Sequence, residues 1–195
     1  TYKVVNPGGT LTLFPAAVNT SGEVSGQEML TGSTIGPFVA NSAGTMATSL
    51  AVDVVCPRGL YYANDDSSLS AKSINFTVQA RAVDSDGSPI GSFFTLGSPT
   101  VSAATTTPQR YTLRYSVAPG RYEVQVTRND GKDTSTRAGH EIVWAGLRAH
   151  IDSGSTFGDV TLLAMRMRAT NNLSSQASRK VNVTCTRKLY QWTGA

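Results

Sequence analysis

Charged side chains are scarce in this sequence: they make up 15% of its 195 residues, against about 25% in an ordinary soluble domain. Serine and threonine take their place, with 45 residues between them, and glycine adds 18. This composition argues against a coiled coil, a helical bundle and an acidic disordered tail. It is typical of a protein built from strands and turns with a neutral polar surface.

Cysteine and histidine are also rare, with two of each. Cys56 and Cys185 are too few for a disulfide framework. We expect them to be small apolar side chains on strands, and whether they pair stays open. His140 and His150 are not spaced as a metal-ligand pair, so we expect no metal site and no cofactor. His140 fits a polar residue at the end of a strand.

Long apolar runs and catalytic motifs are missing as well. No stretch of 18 apolar residues is present, so we expect no membrane insertion. The sequence has no glycine-rich phosphate loop and no nucleophile elbow, and we expect no enzymatic activity. The net charge is +4, but the 17 cations scatter along the chain, which argues against nucleic-acid binding. The chain begins without Met, and we expect it to be processed or excised from a longer protein.

What is present is alternation of apolar and polar residues with a period of two, interrupted at short intervals by turn residues. The strongest example is Ile74–Val83, and Leu50–Cys56 is similar. Residues 84–89 predict a turn that leads into a hairpin return. Residues 111–128 predict a second hairpin, turning at Pro119-Gly120. About nine or ten strands, with at most a short helix at 172–178, predict an all-β antiparallel sandwich or jelly roll with flanking strands.

Three segments are expected along the chain. Residues 48–151 form the sandwich, and residues 1–47 and 152–195 flank it, with strands that pair with each other. Residues 16–46 are predicted as a long connection with one or two short strands. The alternative, that all three segments form one domain, stays open.

Aromatic and basic residues supply a candidate interaction surface. Tyrosine and tryptophan at strand spacing pack into a core more often than they form a sugar-stacking platform. Arginine serves interfaces as readily as phosphate contacts. The candidate residues are Tyr61, Tyr62, Arg166, Arg168, Arg187, Lys188 and Trp192.

Long runs of the sequence resemble a known family. They are Gly36–Ala40, Val52–Tyr61, Arg137–Glu141, Trp144–Ala149, Asp159–Ser174, and Arg179–Val183 with Thr186–Leu189. These runs resemble the tip attachment, or host specificity, protein J of siphophage-type tails and prophages.

The resemblance implies a role in the central tail hub, a homotrimer that closes the tail tube and carries host-recognition modules. It implies an interior fragment located at the virion tail tip, made in the bacterial cytoplasm, with other tail proteins as partners. It supplies no catalytic residue. Two other hypotheses stay open: a carbohydrate-binding module that recognises a host surface glycan or receptor, and a glycan-degrading enzyme.

Overall fold

The computed structural model describes residues 2–11, 13, 17–151, 155–156 and 161–165. Every regular element within these residues is a β-strand, which confirms the all-β prediction; the short helix expected at 172–178 lies outside them. In chain order the strands are β1 (Tyr2–Val5), β2 (Thr10–Leu11), β3 (Ala17–Thr20), β4 (Gln27–Glu28), β5 (Thr34–Val39), β6 (Ala47–Cys56), β7 (Tyr61–Ala63), β8 (Leu69–Ser70), β9 (Lys72–Val83), β10 (Pro89–Gly97), β11 (Thr100–Ala103), β12 (Gln109–Gly120), β13 (Tyr122–Arg128), β14 (Ala138–Gly139), β15 (Val143–Ile151), β16 (Ser155–Thr156) and β17 (Leu162–Met165).

Two five-stranded sheets form the body of the domain. The first has the order β10-β9-β13-β5, with β11 also paired to β9, and the second has the order β12-β6-β15-β3, with β4 paired to β15. The strand pairs in both sheets are antiparallel. Their inner faces share one hydrophobic core, so the predicted sandwich is confirmed.

The alternation read from the sequence fills that core. The inward side chains of β6 are Leu50, Val52, Val54 and Cys56, and those of β9 include Ile74, Phe76, Val78 and Ala80; all are 0% exposed. Burying a large apolar side chain stabilises a fold by about 1.5–3 kcal/mol. At the centre, Trp144 of β15 contacts Phe38 of β5 with ring centroids 5.4 Å apart.

The predicted hairpin at residues 111–128 is wrong. β12 pairs with β6 in the second sheet, whereas β13 pairs with β9 and β5 in the first. The apolar faces of β12 and β13 therefore face each other across the core instead of lying side by side. Alternation cannot separate these two arrangements, since both bury the same residues. The predicted hairpin of β9 and β10 is confirmed, with bulges in β10.

The crossing between the sheets occurs at a single residue, Arg121, between β12 and β13. Its guanidinium donates to the carbonyl of Asn41 at 3.0 Å. The hydroxyl of Tyr122 donates to the carbonyl of Ala118 at 2.7 Å. A tyrosine at the start of a strand that bonds to the backbone just upstream is a hallmark of immunoglobulin-like sandwiches. A Cβ on Gly120 would lie 3.0 Å from this ring, so glycine leaves room for it.

The flanking segments pair with each other, as predicted. β1 pairs with β17 and β2 with β16, both antiparallel. The expectation of one or two short strands within residues 16–46 is corrected to three, because β3, β4 and β5 all join the sandwich sheets. The sheets thus draw strands from the segment expected to be a flank, and the domain limits stay a prediction.

Candidate functional site

Two of the seven candidate surface residues lie in the described part of the chain. Tyr61 and Tyr62 are half-buried on β7, a short strand paired with β8 and β14. The other five lie outside the described residues: Arg166, Arg168, Arg187, Lys188 and Trp192.

The rings of Tyr61 and Tyr62 both lie against other residues of the domain. The side chains of Lys72 and Arg137 lie over the ring of Tyr62, 5.4 and 5.7 Å from its centroid. The ring of Tyr61 lies so close to Gly139 that a Cβ there would clash with it. Both rings are therefore engaged within the domain.

A buried polar cluster lies next to β7, centred on Arg128. This arginine ends β13 and is 0% exposed. Its Nη2 donates to Asp130 Oδ2 at 3.1 Å, and its Nη1 donates to the carbonyl of His140 at 3.2 Å. Its Nε has no hydrogen-bond partner within the part of the chain that the structure describes. A buried charge is tolerated when it is paired and hydrogen-bonded, and Asp130 supplies the pairing.

The ring of His140 has both nitrogens engaged. Nδ1 lies 2.8 Å from the backbone N–H of Asp133 and 3.1 Å from Nη2 of Arg128. Both neighbours can only donate, so Nδ1 accepts and the Nε2–H donates to the carbonyl of Ser73 at 2.9 Å. His140 directly follows β14, as predicted, but its burial and its neutral Nε2–H tautomer were not predicted.

The outer face of the first sheet is uncharged and self-bonded over most of its area. Thr34 and Thr127 share a hydrogen bond of 2.7 Å, and Gln125 donates to Gln79 at 2.9 Å. Asn129 donates to Thr77 at 2.9 Å. This polar ladder comprises Thr34, Asn75, Thr77, Gln79, Gln125, Thr127 and Asn129. It ends at the ion pair of Arg81 and Glu123, so the face carries no net charge there.

The outer face of the second sheet is basic. Arg114 of β12 and Arg148 of β15 lie opposite Ala51 of β6, one on each side. Ala51 is only 1% exposed, as expected for a small residue between two long side chains. His150 follows Arg148 on the same face, opposite Ser49. We call Arg114, Arg148 and His150 the basic row.

One carboxylate lies within this face. Asp53 accepts hydrogen bonds from Arg148 and from Thr112, each at 2.5 Å. Arg114 instead donates its Nε to the hydroxyl of Ser49 at 2.8 Å. Burial lowers the pKa of His150, and the charges of Arg114 and Arg148 lower it further. Both arginines therefore disfavour the protonated form of His150.

Cys56 carries a free thiol buried in the core. Burial raises its pKa to about 11, so the thiolate is a minor species at neutral pH. Cys185 lies outside the described residues. The prediction that Cys56 is a small apolar side chain on a strand is confirmed.

Most of the described aromatic side chains belong to the core. Trp144 is 0% exposed and Tyr122 is 6% exposed. Tyr111 and Tyr115 are half-buried and pack against the core. Among the described residues, no group of three or more His, Cys, Asp or Glu side chains comes together to hold a metal ion. No helix in that same part of the chain has the length and apolar character to cross a membrane.

A family model for the FNIII-A domain of tip attachment protein J matches residues 23–153. The match covers more than half of the chain and spans both sheets of the sandwich. The chain belongs to this family. It is a domain of a phage tail protein with a structural role, and the resemblance noted in the sequence is confirmed. The hydrogen bond from the Tyr122 hydroxyl to the carbonyl of Ala118 agrees with an FNIII-type sandwich.

Other comparisons add little. No curated protein matches the chain. A chain from the crystal structure of the T13 IBDV viral particle is similar over 80% of this chain and 35% of its own length, with 15% sequence identity and a TM-score of 0.38. This chain therefore spans about a third of that viral chain. A TM-score this low carries no argument about fold or function.

Sequence reasoning missed the basic row and the Arg128 cluster. Arg114 and Arg148 are neighbours only because β12 and β15 flank β6, and no local pattern encodes that order. The alternation of Tyr122, Val124 and Val126 did point Arg128 inward. That inward position was the available signal, since a charged residue on an apolar face predicts a buried ion pair.

Proposed function

We propose that this chain is a domain of the central hub at the phage tail tip, where it contributes to tail assembly and host attachment. The observation that carries the proposal is the match of residues 23–153 to the tip attachment protein J domain family. In this role the domain acts by shape and contact and catalyses no reaction.

The pairing of the flanking segments supports a domain attached to a larger body. β1 and β17 run antiparallel, so the chain enters and leaves this ribbon at the same place. A two-stranded ribbon is marginally stable alone in water. Its exposed apolar side chains include Tyr2, Val4 and Leu163, which a neighbouring part of the tail would cover.

The partners proposed are other tail proteins and two further copies of the full-length hub protein, which form a trimer. The location proposed is the tail tip of the virion, after synthesis in the bacterial cytoplasm. Light scattering of the isolated chain tests the trimer. A mass near three times 20.6 kDa would place trimer contacts within this domain, and a monomer would place them elsewhere in the hub.

The carbohydrate-binding alternative has less support. A sugar site needs exposed aromatic rings, but the rings of Tyr61 and Tyr62 are engaged with Gly139, Lys72 and Arg137. A glycan array on the isolated chain tests it directly. Specific binding to a bacterial surface glycan would favour the alternative.

Electron microscopy of the parent phage tests the main proposal. Gold-labelled antibodies raised against the isolated chain should bind at the tail tip, and the same antibodies should reduce adsorption to the host. Antibodies against an unrelated sandwich domain serve as the control. Labelling on the capsid, or no labelling of intact and disrupted particles, would refute the proposal.

A further inference from the structure

We propose that the outer face of the second sheet, around Arg114 and Arg148, docks an acidic surface segment of a neighbouring tail protein. This inference rests on the proposed function for the location of the partner. The face itself is defined by β12, β6, β15 and β3, and its chemistry is independent of that location.

The two outer faces differ in how their charges are balanced. On the first sheet the polar ladder bonds to itself, and Arg81 and Glu123 cancel each other. On the second sheet, Arg110 and Arg114 have no carboxylate within ion-pair distance among the described residues. Charge complementarity therefore favours the second face for a partner that carries negative charge.

The strand register sets the spacing of three arginines on this face. Neighbouring strands lie about 4.8 Å apart, so the backbones at Arg114 and Arg148 are separated by about 10 Å across Ala51. Arg110 lies on the same side of β12 as Arg114, about 14 Å along the strand. An acidic segment that runs along β12 would meet Arg110 and Arg114, with Arg148 about 10 Å to one side.

This face already binds a carboxylate. Arg148 and Thr112 hold the Asp53 carboxylate at 2.5 Å from each side. Glu28, at the far end of the face, is already paired with Lys132. Among the described residues, the guanidinium of Arg114 makes one hydrogen bond, from its Nε to Ser49. Its two terminal nitrogens are the donors that a second carboxylate would take as a fork.

An acidic protein fits better than a nucleic acid. Nucleic-acid binding draws on many phosphate contacts, and three arginines with Asp53 among them supply few. The Asp53 carboxylate repels closely spaced phosphates but leaves room for a separate carboxylate at Arg114.

Fluorescence anisotropy of the full chain with a labelled oligoglutamate peptide tests the surface. We expect binding at low salt that weakens as salt rises. Arg114→Gln should weaken it roughly tenfold, the effect of losing one charged contact. Asp53→Asn should strengthen it a few-fold, because it removes the negative charge that now occupies Arg148. Arg58→Gln, at an exposed arginine paired with Glu141, removes the same charge elsewhere and should change little.

Equal binding by the Arg114→Gln and Arg58→Gln variants, both with wild-type thermal unfolding, would overturn the proposal. So would weaker binding by the Asp53→Asn variant. Tighter binding to a single-stranded oligonucleotide, also sensitive to Arg114, would overturn the acidic-protein partner in favour of a nucleic acid.

The gold-labelling experiment separates this inference from the proposed function. If the label lies at the tail tip but Arg114→Gln does not change peptide binding, the proposed function is supported and the docking surface is overturned. Arg114-dependent peptide binding by a chain absent from the particles overturns the tail partner together with the proposed function.

Discussion

Replacing Arg128 with methionine should destabilise the domain by about 2–4 kcal/mol. Removing one partner of a buried ion pair costs about 3–5 kcal/mol, because the other charge stays behind unpaired. Asp130 is 27% exposed and recovers some hydration, which reduces the cost. The methionine fills part of the vacated space, but it cannot replace the donor to the carbonyl of His140.

Urea unfolding followed by circular dichroism measures the effect. In thermal unfolding of a chain of this length, the same loss of stability would lower Tm by roughly 5–15 °C. Arg58→Met is the matched control, since its side chain is 64% exposed; its free energy of unfolding should change by less than about 0.5 kcal/mol. Equal stability of the Arg128→Met and Arg58→Met variants would refute the reasoning.

A double-mutant cycle with Asp130→Asn isolates the pair from the packing. If the cost of Arg128→Met comes from a carboxylate left without its partner, removing that charge should return part of the loss. We expect the double variant to lose about 1–2 kcal/mol less of its free energy of unfolding than the two single losses add up to. Strict additivity would show that the guanidinium acts through packing alone.

Three further predictions follow from local geometry. Gly59 and Gly44 have nearly the same φ, +78° and +76°, but a Cβ on Gly59 would overlap neighbouring backbone whereas one on Gly44 meets nothing within 4 Å. Gly44→Ala should therefore cost about 1 kcal/mol and Gly59→Ala clearly more, and similar urea midpoints would contradict this. In a Cys185→Ser chain, a thiol reagent should label buried Cys56 only as the protein unfolds, so labelling in native buffer at the rate of a free thiol would be inconsistent with the structure. Since the folded pKa of His150 lies below the ordinary histidine value of 6.5, the unfolded chain binds the proton more strongly, and stability should fall as the pH drops below 6.5. His150→Gln should flatten that part of the pH profile, and an NMR titration giving a pKa at or above 6.5 would disprove the sign.

The sequence predicts the faces of strands more reliably than their partners. Alternation in β6 and β9 identified their buried residues correctly, because side chains in a strand point to opposite faces whatever the strand pairs with. The hairpin at 111–128 failed for the complementary reason. Pro119-Gly120 indicates a change of direction, and only the long-range pairing of β12 with β6 decides that the chain changes sheets there.

The same limit applies to the site. Tyr61 and Tyr62 were predicted as surface residues because aromatic side chains at strand spacing can bind ligands. Their rings instead lie against Gly139 and Lys72, residues from other parts of the chain. The basic row joins residues from β12 and β15 across β6. Arg114 and Arg148 are far apart in the sequence, and only the strand order shows that they are neighbours on one face.

The two outer faces suggest how such a domain packs within a tail. A self-bonded neutral face gains little from a polar partner, because each new hydrogen bond must replace one that already exists. Such a face is suited to a partner of complementary shape, because close packing and the exclusion of water then stabilise the contact. A face with unshared guanidinium groups gains both attraction and orientation from a carboxylate partner. A domain with one face of each kind is suited to two unlike neighbours, and Arg114→Gln is a single substitution that makes the two faces more alike.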